Sequence, residues 1–506
     1  MKNQFGICLA VFSTAFICAG QEISSPDANL TAREEQIVAA AKAGGEIKIV
    51  RDARPALTPP MGWNSYDAFS DSVVEAEVLS NADWMHAHLQ PFGWNTIVID
   101  FRWYDPKPTG DDRLLNRTRT GAALAADEFS RLLPAPNRFP SVTNDAGFKP
   151  LADQLHAMGL KFGIHVMRGI PRQAVLANTK IFGGNFTAAE AGDQNDKCVW
   201  CPDMFGVRNN AAGQAWYDSC AKLWASWGVD YIKVDDLSQP YHAAEIEMIR
   251  RALDKCGRPI VFSTSPGPTS TTHAGHIAAN ANLWRISGDF WDRWQKLDAQ
   301  FDLIAQWQGA GGPGHWPDAD MIPFGHIAIR SKIDGSSHWT HFTRDEQLTL
   351  MSLWAVAPSP LMLGMNLPDN DDWTTALLTN PEVLAVDQDP RGQPGRRIFI
   401  PGQTTEVWTK ELSGGALAVG FFNRTDDPVK VDYAWSNLGF SSAPRAGEPW
   451  HGAAALMGRP GAPKVRDLWL RKNLGREKNF VAELPPHGCV LLKVEGRNRG
   501  SAFLNR

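Results

Sequence analysis

From about Pro59 to Met365 the chain alternates short apolar runs with longer amphipathic stretches, and this rhythm constrains the fold more than any other feature. "TIVIDFRW" is followed by "PLADQLHAMGL" and "KFGIHVM"; later "AWYDSCAKLWASWG" precedes "DYIKVDD", and "AAEIEMIRRALDKCG" precedes "PIVFSTS". Strand, helix, strand in succession implies parallel strands joined by crossovers. Eight runs read as strands: "MGWNSY", "TIVIDFRW", "KFGIHVM", "DYIKVDD", "PIVFSTS", "LWRISGD", "DADMI" and "SPLMLGM". Eight units over roughly three hundred residues suit an α/β fold of the (β/α)8 barrel type with inserted loops. A doubly wound open sheet is the rival. It calls for a glycine-rich phosphate loop after its first strand, and "MGWNSYDAF" is not one.

Past "VDQDPRGQPGRR" the rhythm changes. "EVWTKEL", "ALAVGFFNR", "VKVDYAW", "VRDLWL", "NFVAEL" and "CVLLKVE" are short alternating strands separated by Gly, Pro, Asn and Asp, the pattern of an antiparallel β-sandwich of about a hundred residues. The first twenty residues carry Lys2, an apolar run and then small residues, the layout of a secretory signal peptide. Cys18 invites a lipoprotein reading, but Ile17 before it fits that processing badly. The expected organisation is a signal at 1–20, an N-terminal segment with a short helix at 21–55, a barrel at 56–390, a sandwich at 391–497 and a tail at 498–506. An exported protein, periplasmic or extracellular and without a membrane span, follows.

A formal net charge of -5 gives no electrostatic reason to expect nucleic acid or an anionic membrane as a partner. Twenty tryptophans are read first as core, although their flat faces also suit sugar rings. Beyond the signal lie Cys198, Cys201, Cys220, Cys256 and Cys489. "CVWC" has metal or redox spacing, but no second pair completes a zinc site, so a Cys198–Cys201 disulfide is expected in an exported chain. The "NRT" at Asn116 matters only where the producing cell glycosylates.

Barrel chemistry sits where strands meet the loops that follow them. Here those ends carry Asp100 and Arg102, His165 and Arg168, Lys233 and Asp235, Arg285 and Asp289, and Asp318 and Asp320. One such residue is ordinarily a salt bridge or a cap, and Asp236 is read as a helix cap. Five strand ends converging on one rim are different, because unpaired buried charge is costly unless it serves a purpose. Two carboxylates with cations and aromatics, and without a nucleotide loop, a metal cluster or a Ser/His/Asp set, suit glycoside hydrolysis. Lys233, two residues before Asp235, faces the same side of a strand and favours an ionised nucleophile. Arg285 and Asp289, four apart, share strand parity. Two other readings stand beside this one. Lys233 as a Schiff-base nucleophile is disfavoured by the carboxylate beside it; a silent carbohydrate-binding protein needs no paired Asp235 and Asp289. No cofactor or metal is called for.

The motifs "LTPPMGWNSYDAF", "VIDFRW", "KFGIHVM", "DYIKVDD", "RISGD", "WPDADM" and "VDQDPRGQPGRR" occur in the order found in glycoside hydrolase family 27, which the chain resembles from about Thr58 onward. That family includes α-galactosidases, α-N-acetylgalactosaminidases, isomalto-dextranases and β-L-arabinopyranosidases. The resemblance implies a barrel followed by a β-domain, a retaining mechanism, Asp235 as nucleophile and Asp289 as acid/base. It implies a sugar pocket drawn from Lys233, Arg285, Asp100, Tyr66, Trp103, His165 and Asp320. It also exposes departures. Of the family's usual aspartate pair on strand two, which binds the sugar's 4- and 6-hydroxyls, the second is Phe101; Arg102 replaces a cysteine, Tyr66 a tryptophan, and "STSPGP" lacks the usual 2-hydroxyl signature. An exo-acting α-galactosidase is the first expectation, with isomalto-dextranase-like or β-L-arabinopyranosidase activity as alternatives. Galactose, arabinopyranose and glucose all stay open.

Overall fold

The computed structural model describes residues 29–45, 47, 55–110, 124–142, 146–331, 336–398, 405–438 and 462–496. The expected signal, Asn116 and the expected tail lie outside them. Eight parallel strands form one curled sheet: β1 (Met61–Asn64), β2 (Thr96–Ile99), β3 (Lys161–Met167), β4 (Tyr231–Asp235), β5 (Val261–Thr264), β6 (Leu283–Arg285), β7 (Trp316–Asp318) and β8 (Leu361–Leu363). Pairing runs in sequence order from β1 to β7, and β8 pairs with β1. Ile322, just after β7, bridges Leu363 in parallel and closes the ring. Val98, Tyr231, Val261, Leu283, Met321 and Met362 pack together as a small apolar cluster inside the strands.

Several strands are shorter than the apolar runs suggest, for local reasons. β2 stops at Ile99 because the chain turns at Asp100 and Arg102 takes a left-handed conformation (φ 56°). β6 stops at Arg285, so Asp289 lies on the following loop and strand parity does not place it. Strand seven falls at Trp316–Asp318, before the expected run, since Asp320 is also left-handed (φ 85°) and breaks the extended path.

The N-terminal helix, α1 (Ala32–Lys42), starts at Thr31 with a reciprocal Thr31–Glu34 capping box and buries Ile37, Val38 and Ala41. After the barrel come β9 (Arg396–Ile398), β10 (Glu406–Glu411), β11 (Leu417–Phe422), β12 (Val429–Ala434), β13 (Lys464–Asp467), β14 (Lys472–Arg476), β15 (Asn479–Leu484) and β16 (Cys489–Glu495). They form an antiparallel sheet ordered β9-β10-β11-β16-β13-β14 and a β12-β15 pair, with Val407, Val419, Phe421, Tyr433, Phe480 and Leu492 packed between. A buried lysine docks this domain on the barrel: Lys410 Nζ donates to the carbonyls of Ala355 (3.1 Å) and Val386 (2.5 Å). Among the described residues ten tryptophans are fully buried, as the core reading expects.

Candidate active site

The strand ends open onto a cavity of about 520 Å³. Its wall includes Tyr66, Asp100, Lys233, Asp235, Arg285, Asp289 and Asp320, seven of the nine residues singled out from sequence. Trp103 is not among them. It is sealed in the core, where Nε1 donates to the His165 carbonyl at 2.6 Å and the ring packs edge-on against Tyr104, Phe148 and Trp227. The turn after β2 rotates it away from the side that Asp100 faces. His165 is also fully buried and acts from behind the wall.

The centre of the site is β4. Parity turns Lys233 and Asp235 to one side, as the spacing predicts, and the register sets Lys233 beside His165 and Asp235 beside Met167. His165 Nε2 lies 3.0 Å from Asp235 Oδ2. Burial alone would raise the Asp235 pKa, but His165 and Lys233 outweigh it and hold the carboxyl well below the usual carboxylate range. Lys233 makes its direct ion pair with Asp100 (3.0 Å), whose same oxygen accepts from Asn64 Nδ2 at 2.6 Å. Asp100 is pushed up by burial and down further by Lys233 and His165, with a lowered net value. The Lys233 ammonium also lies 5.8 Å from the Tyr66 ring centre.

Arg285 organises the opposite wall. Its Nη2 donates to the carbonyl of Gly288 (2.8 Å), which folds the loop back, and contacts Asp320 Oδ2 (2.7 Å) and Asp289 Oδ1 (3.4 Å). The Asp289 side chain is 63% exposed, whereas that of Asp235 is 14% exposed. Asp320 Oδ2 also accepts from the Phe290 amide (2.8 Å). Burial pushes the Asp320 pKa up to about 6 against Arg285, with Asp289 and Asp318 adding to the rise.

Reading the sequence missed Asp67. It is buried, lines the cavity, and its Oδ2 meets no hydrogen-bond donor among the described residues. Burial first, then Asp320, raises its pKa well above the usual value. Residue 364 must be glycine for it to fit, because a Cβ there would come 1.9 Å from Asp67 Oδ2. The missed signal was the single acid in "NSYDAF", Asp67, on the helical turn Tyr66–Phe69 directly after β1.

Phe101 forms an apolar wall, its ring 5.4 Å from His165 and 5.6 Å from Trp200. Trp200 arrives on an excursion between β3 and the helix Ala211–Trp227 that folds as a small sheet of Ile170–Pro171, Met204–Val207 and Gly192–Lys197. Arg102 anchors that excursion through Asp203 (3.0 Å) and pairs with Asp105 (3.2 Å), so it braces the site from outside the cavity. Two expectations fail in this region. Cys198 and Cys201 are separate thiols, with the Cys201 amide donating to Cys198 Sγ at 3.4 Å; burial pushes Cys198 up to about 12. Asp236 caps no helix. It is left-handed (φ 66°) and pairs with Arg168 at 2.8 Å, while the next helix starts at Ala243.

Residues 209–389 match the family described as Alpha galactosidase A, and 402–494 match the alpha galactosidase C-terminal beta sandwich domain. The structure is similar to that of a family-27 β-L-arabinopyranosidase from Geobacillus stearothermophilus, at 45% identity and TM-score 0.79 over 88% of this chain and 98% of that one. An α-galactosidase from Coffea arabica is 30% identical over 391 residues, 76% of this chain and 84% of its own. An α-N-acetylgalactosaminidase from Gallus gallus is 28% identical over 460 residues, 86% of this chain and 93% of its own. Barrel, β-domain and these likenesses agree: the chain is a glycosidase and belongs to glycoside hydrolase family 27.

Proposed function

We propose that the protein is a retaining, exo-acting glycosidase whose preferred substrate is a β-L-arabinopyranoside. The Asp235 carboxylate attacks the anomeric carbon while Asp289, protonated, gives its proton to the departing oxygen. Asp289 then takes a proton from the water that cleaves the glycosyl ester, and the anomeric configuration is retained. Two features support this division of labour. Asp235 is held ionised by His165 and Lys233, and Asp289 stands exposed at the rim where a leaving group and water can reach it. Asp100 and Lys233 would hold ring hydroxyls.

Phe101 carries the choice of sugar. β-L-Arabinopyranosides share the ring configuration of α-D-galactosides but lack the hydroxymethyl carbon. An aspartate that binds the 6-hydroxyl is therefore dispensable for them, and an apolar ring backed by Trp200 suits the bare ring edge. The similarity at 45% identity to an arabinopyranosidase points the same way. α-Galactoside hydrolysis is the second reading, favoured by curated relatives such as the α-galactosidase from Oryza sativa, 27% identical over 86% of this chain.

The test is kcat/KM on the 4-nitrophenyl β-L-arabinopyranoside and α-D-galactopyranoside, with Asp235→Asn as control. Preference for the galactoside would overturn the sugar assignment, and turnover surviving in the control would overturn the mechanism. We also place the enzyme outside the cytoplasm, on the signal-like residues 1–20; a product retained in the cytoplasm that still begins at Met1 by N-terminal sequencing would refute this.

A further inference from the structure

Three residues beyond Asp289, the loop after β6 carries Asp292, a carboxylate with a side chain only 1% exposed. Two histidines of the segment after β7 converge on a single oxygen of it. His338 Nε2 lies 3.1 Å and His341 Nδ1 2.9 Å from Asp292 Oδ2, and the two imidazoles stack with centres 4.2 Å apart. All three ligand atoms fall within 4.8 Å of one another.

The protonation pattern around His338 is informative. Its Nδ1 lies 2.6 Å from the Ser336 carbonyl oxygen, which can only accept, so Nδ1 carries a hydrogen. In the neutral ring Nε2 is then a lone pair, and it faces a carboxylate oxygen. The same carboxylate oxygen accepts the His341 amide at 2.7 Å, which fixes its orientation toward the two rings. A metal ion could take the Nε2 and Oδ2 lone pairs together. The spacing suits the metal. Adjacent ligands at metal–ligand distances of about 2.1 Å and right angles sit about 3.0 Å apart. The hydrogen bond from His338 Nδ1 to a backbone carbonyl is also the outer contact that ordinarily orients a ligating imidazole. His341 is 61% exposed, which leaves the open side of the cluster to water ligands.

We propose that Asp292, His338 and His341 form a binding site for a divalent first-row transition metal ion. Two imidazole nitrogens and one carboxylate oxygen occupy one face, and water completes the coordination. Such donors suit zinc, manganese or iron(II) and are poor for calcium or magnesium. The ion ties the loop that bears Asp289 to the segment after β7. Phe290 stacking on Phe342 at 5.9 Å already joins the same two segments. The role is structural, and the site stands or falls independently of the sugar the enzyme takes.

The experiment uses the full chain, stripped with chelator and then equilibrated with micromolar zinc or manganese, with metal counted by elemental mass spectrometry. One equivalent per chain is expected for the wild type, and a loss of that equivalent in His341→Ala and in His338→Ala/His341→Ala. Thermal unfolding supplies the second readout: metal should raise the Tm of the wild type and leave that of the double variant unmoved. His341 is exposed enough that its substitution tests the site without threatening the fold. No uptake by the wild type would overturn the proposal and leave His338 as a hydrogen-bond partner of Asp292. Equal uptake by wild type and both variants would overturn it too, by assigning the metal elsewhere, for example to the Cys198 and Cys201 thiols.

Discussion

His165 Nε2 lies 3.0 Å from Asp235 Oδ2, while Lys233, the nearer residue in sequence, gives its ammonium to Asp100. The charge of the proposed nucleophile is thus steadied chiefly from the neighbouring strand. Removing the ring in His165→Ala should move the acid limb of the kcat/KM profile to higher pH, because Asp235 then protonates nearer its ordinary range. The same pair sets a stability term. With the folded pKa depressed, stabilisation is full above the unfolded value of about 3.9 and is lost as pH falls through the folded value. Acid unfolding of His165→Ala should therefore begin at higher pH. An unshifted acid limb would show that His165 does not govern the charge of Asp235.

Asp289→Asn should lower kcat on substrates with poor leaving groups by about 10²–10⁴-fold. Nitrophenyl substrates need little protonation, so their first step should survive and external azide should restore turnover. Equal loss on both substrate types, without azide rescue, would remove Asp289 from the acid/base role.

Phe101→Asp places a hydrogen-bonding carboxylate where the apolar wall now stands. The ratio of galactoside to arabinopyranoside kcat/KM should rise by about 10–100-fold, the worth of one hydrogen bond to a charged group. NMR of the first product anomer, with retained configuration expected, checks that the mechanism is unchanged. A ratio that does not move would detach Phe101 from sugar selection.

Asp67→Asn bears on a buried acid. Its folded pKa is raised by burial and by Asp320, so the native state binds the proton more tightly than the unfolded chain does. Its ionisation therefore destabilises the fold increasingly as pH climbs above the unfolded value of about 3.9. The neutral amide escapes that penalty, and its Tm gain should be larger at pH 8 than at pH 4. A gain independent of pH would contradict this account.

Lys410→Met should destabilise the protein by about 1–3 kcal/mol, because the carbonyls of Ala355 and Val386 lose a buried donor where the two domains meet. Chemical denaturation with the midpoint and slope both fitted checks it. A variant as stable as the wild type would mean that the Lys410 hydrogen bonds contribute nothing net to the docking of the two domains.

Much of the site was legible because strand parity is a local rule: Lys233 and Asp235 face one side whatever the rest of the chain does. Where the backbone leaves the strand, parity lapses. Asp289 reaches Arg285 through a folded-back loop, and Trp103 turns inward past the left-handed Arg102. Asp236 reads as a cap in sequence, yet the cation it meets, Arg168, comes from beyond β3, far away along the chain.

The sequence by itself determined the strand–helix rhythm, the switch to alternating strands near residue 400, the acid-bearing strand ends and the family motifs, since each depends on periodicity or short-range order. Only the tertiary structure decided which charges meet: His165 with Asp235, Lys233 with Asp100, Arg102 with Asp203, and Asp292 with two histidines. Those partners are far apart along the chain, and electrostatic energy depends on distance through space, which closure of the barrel sets.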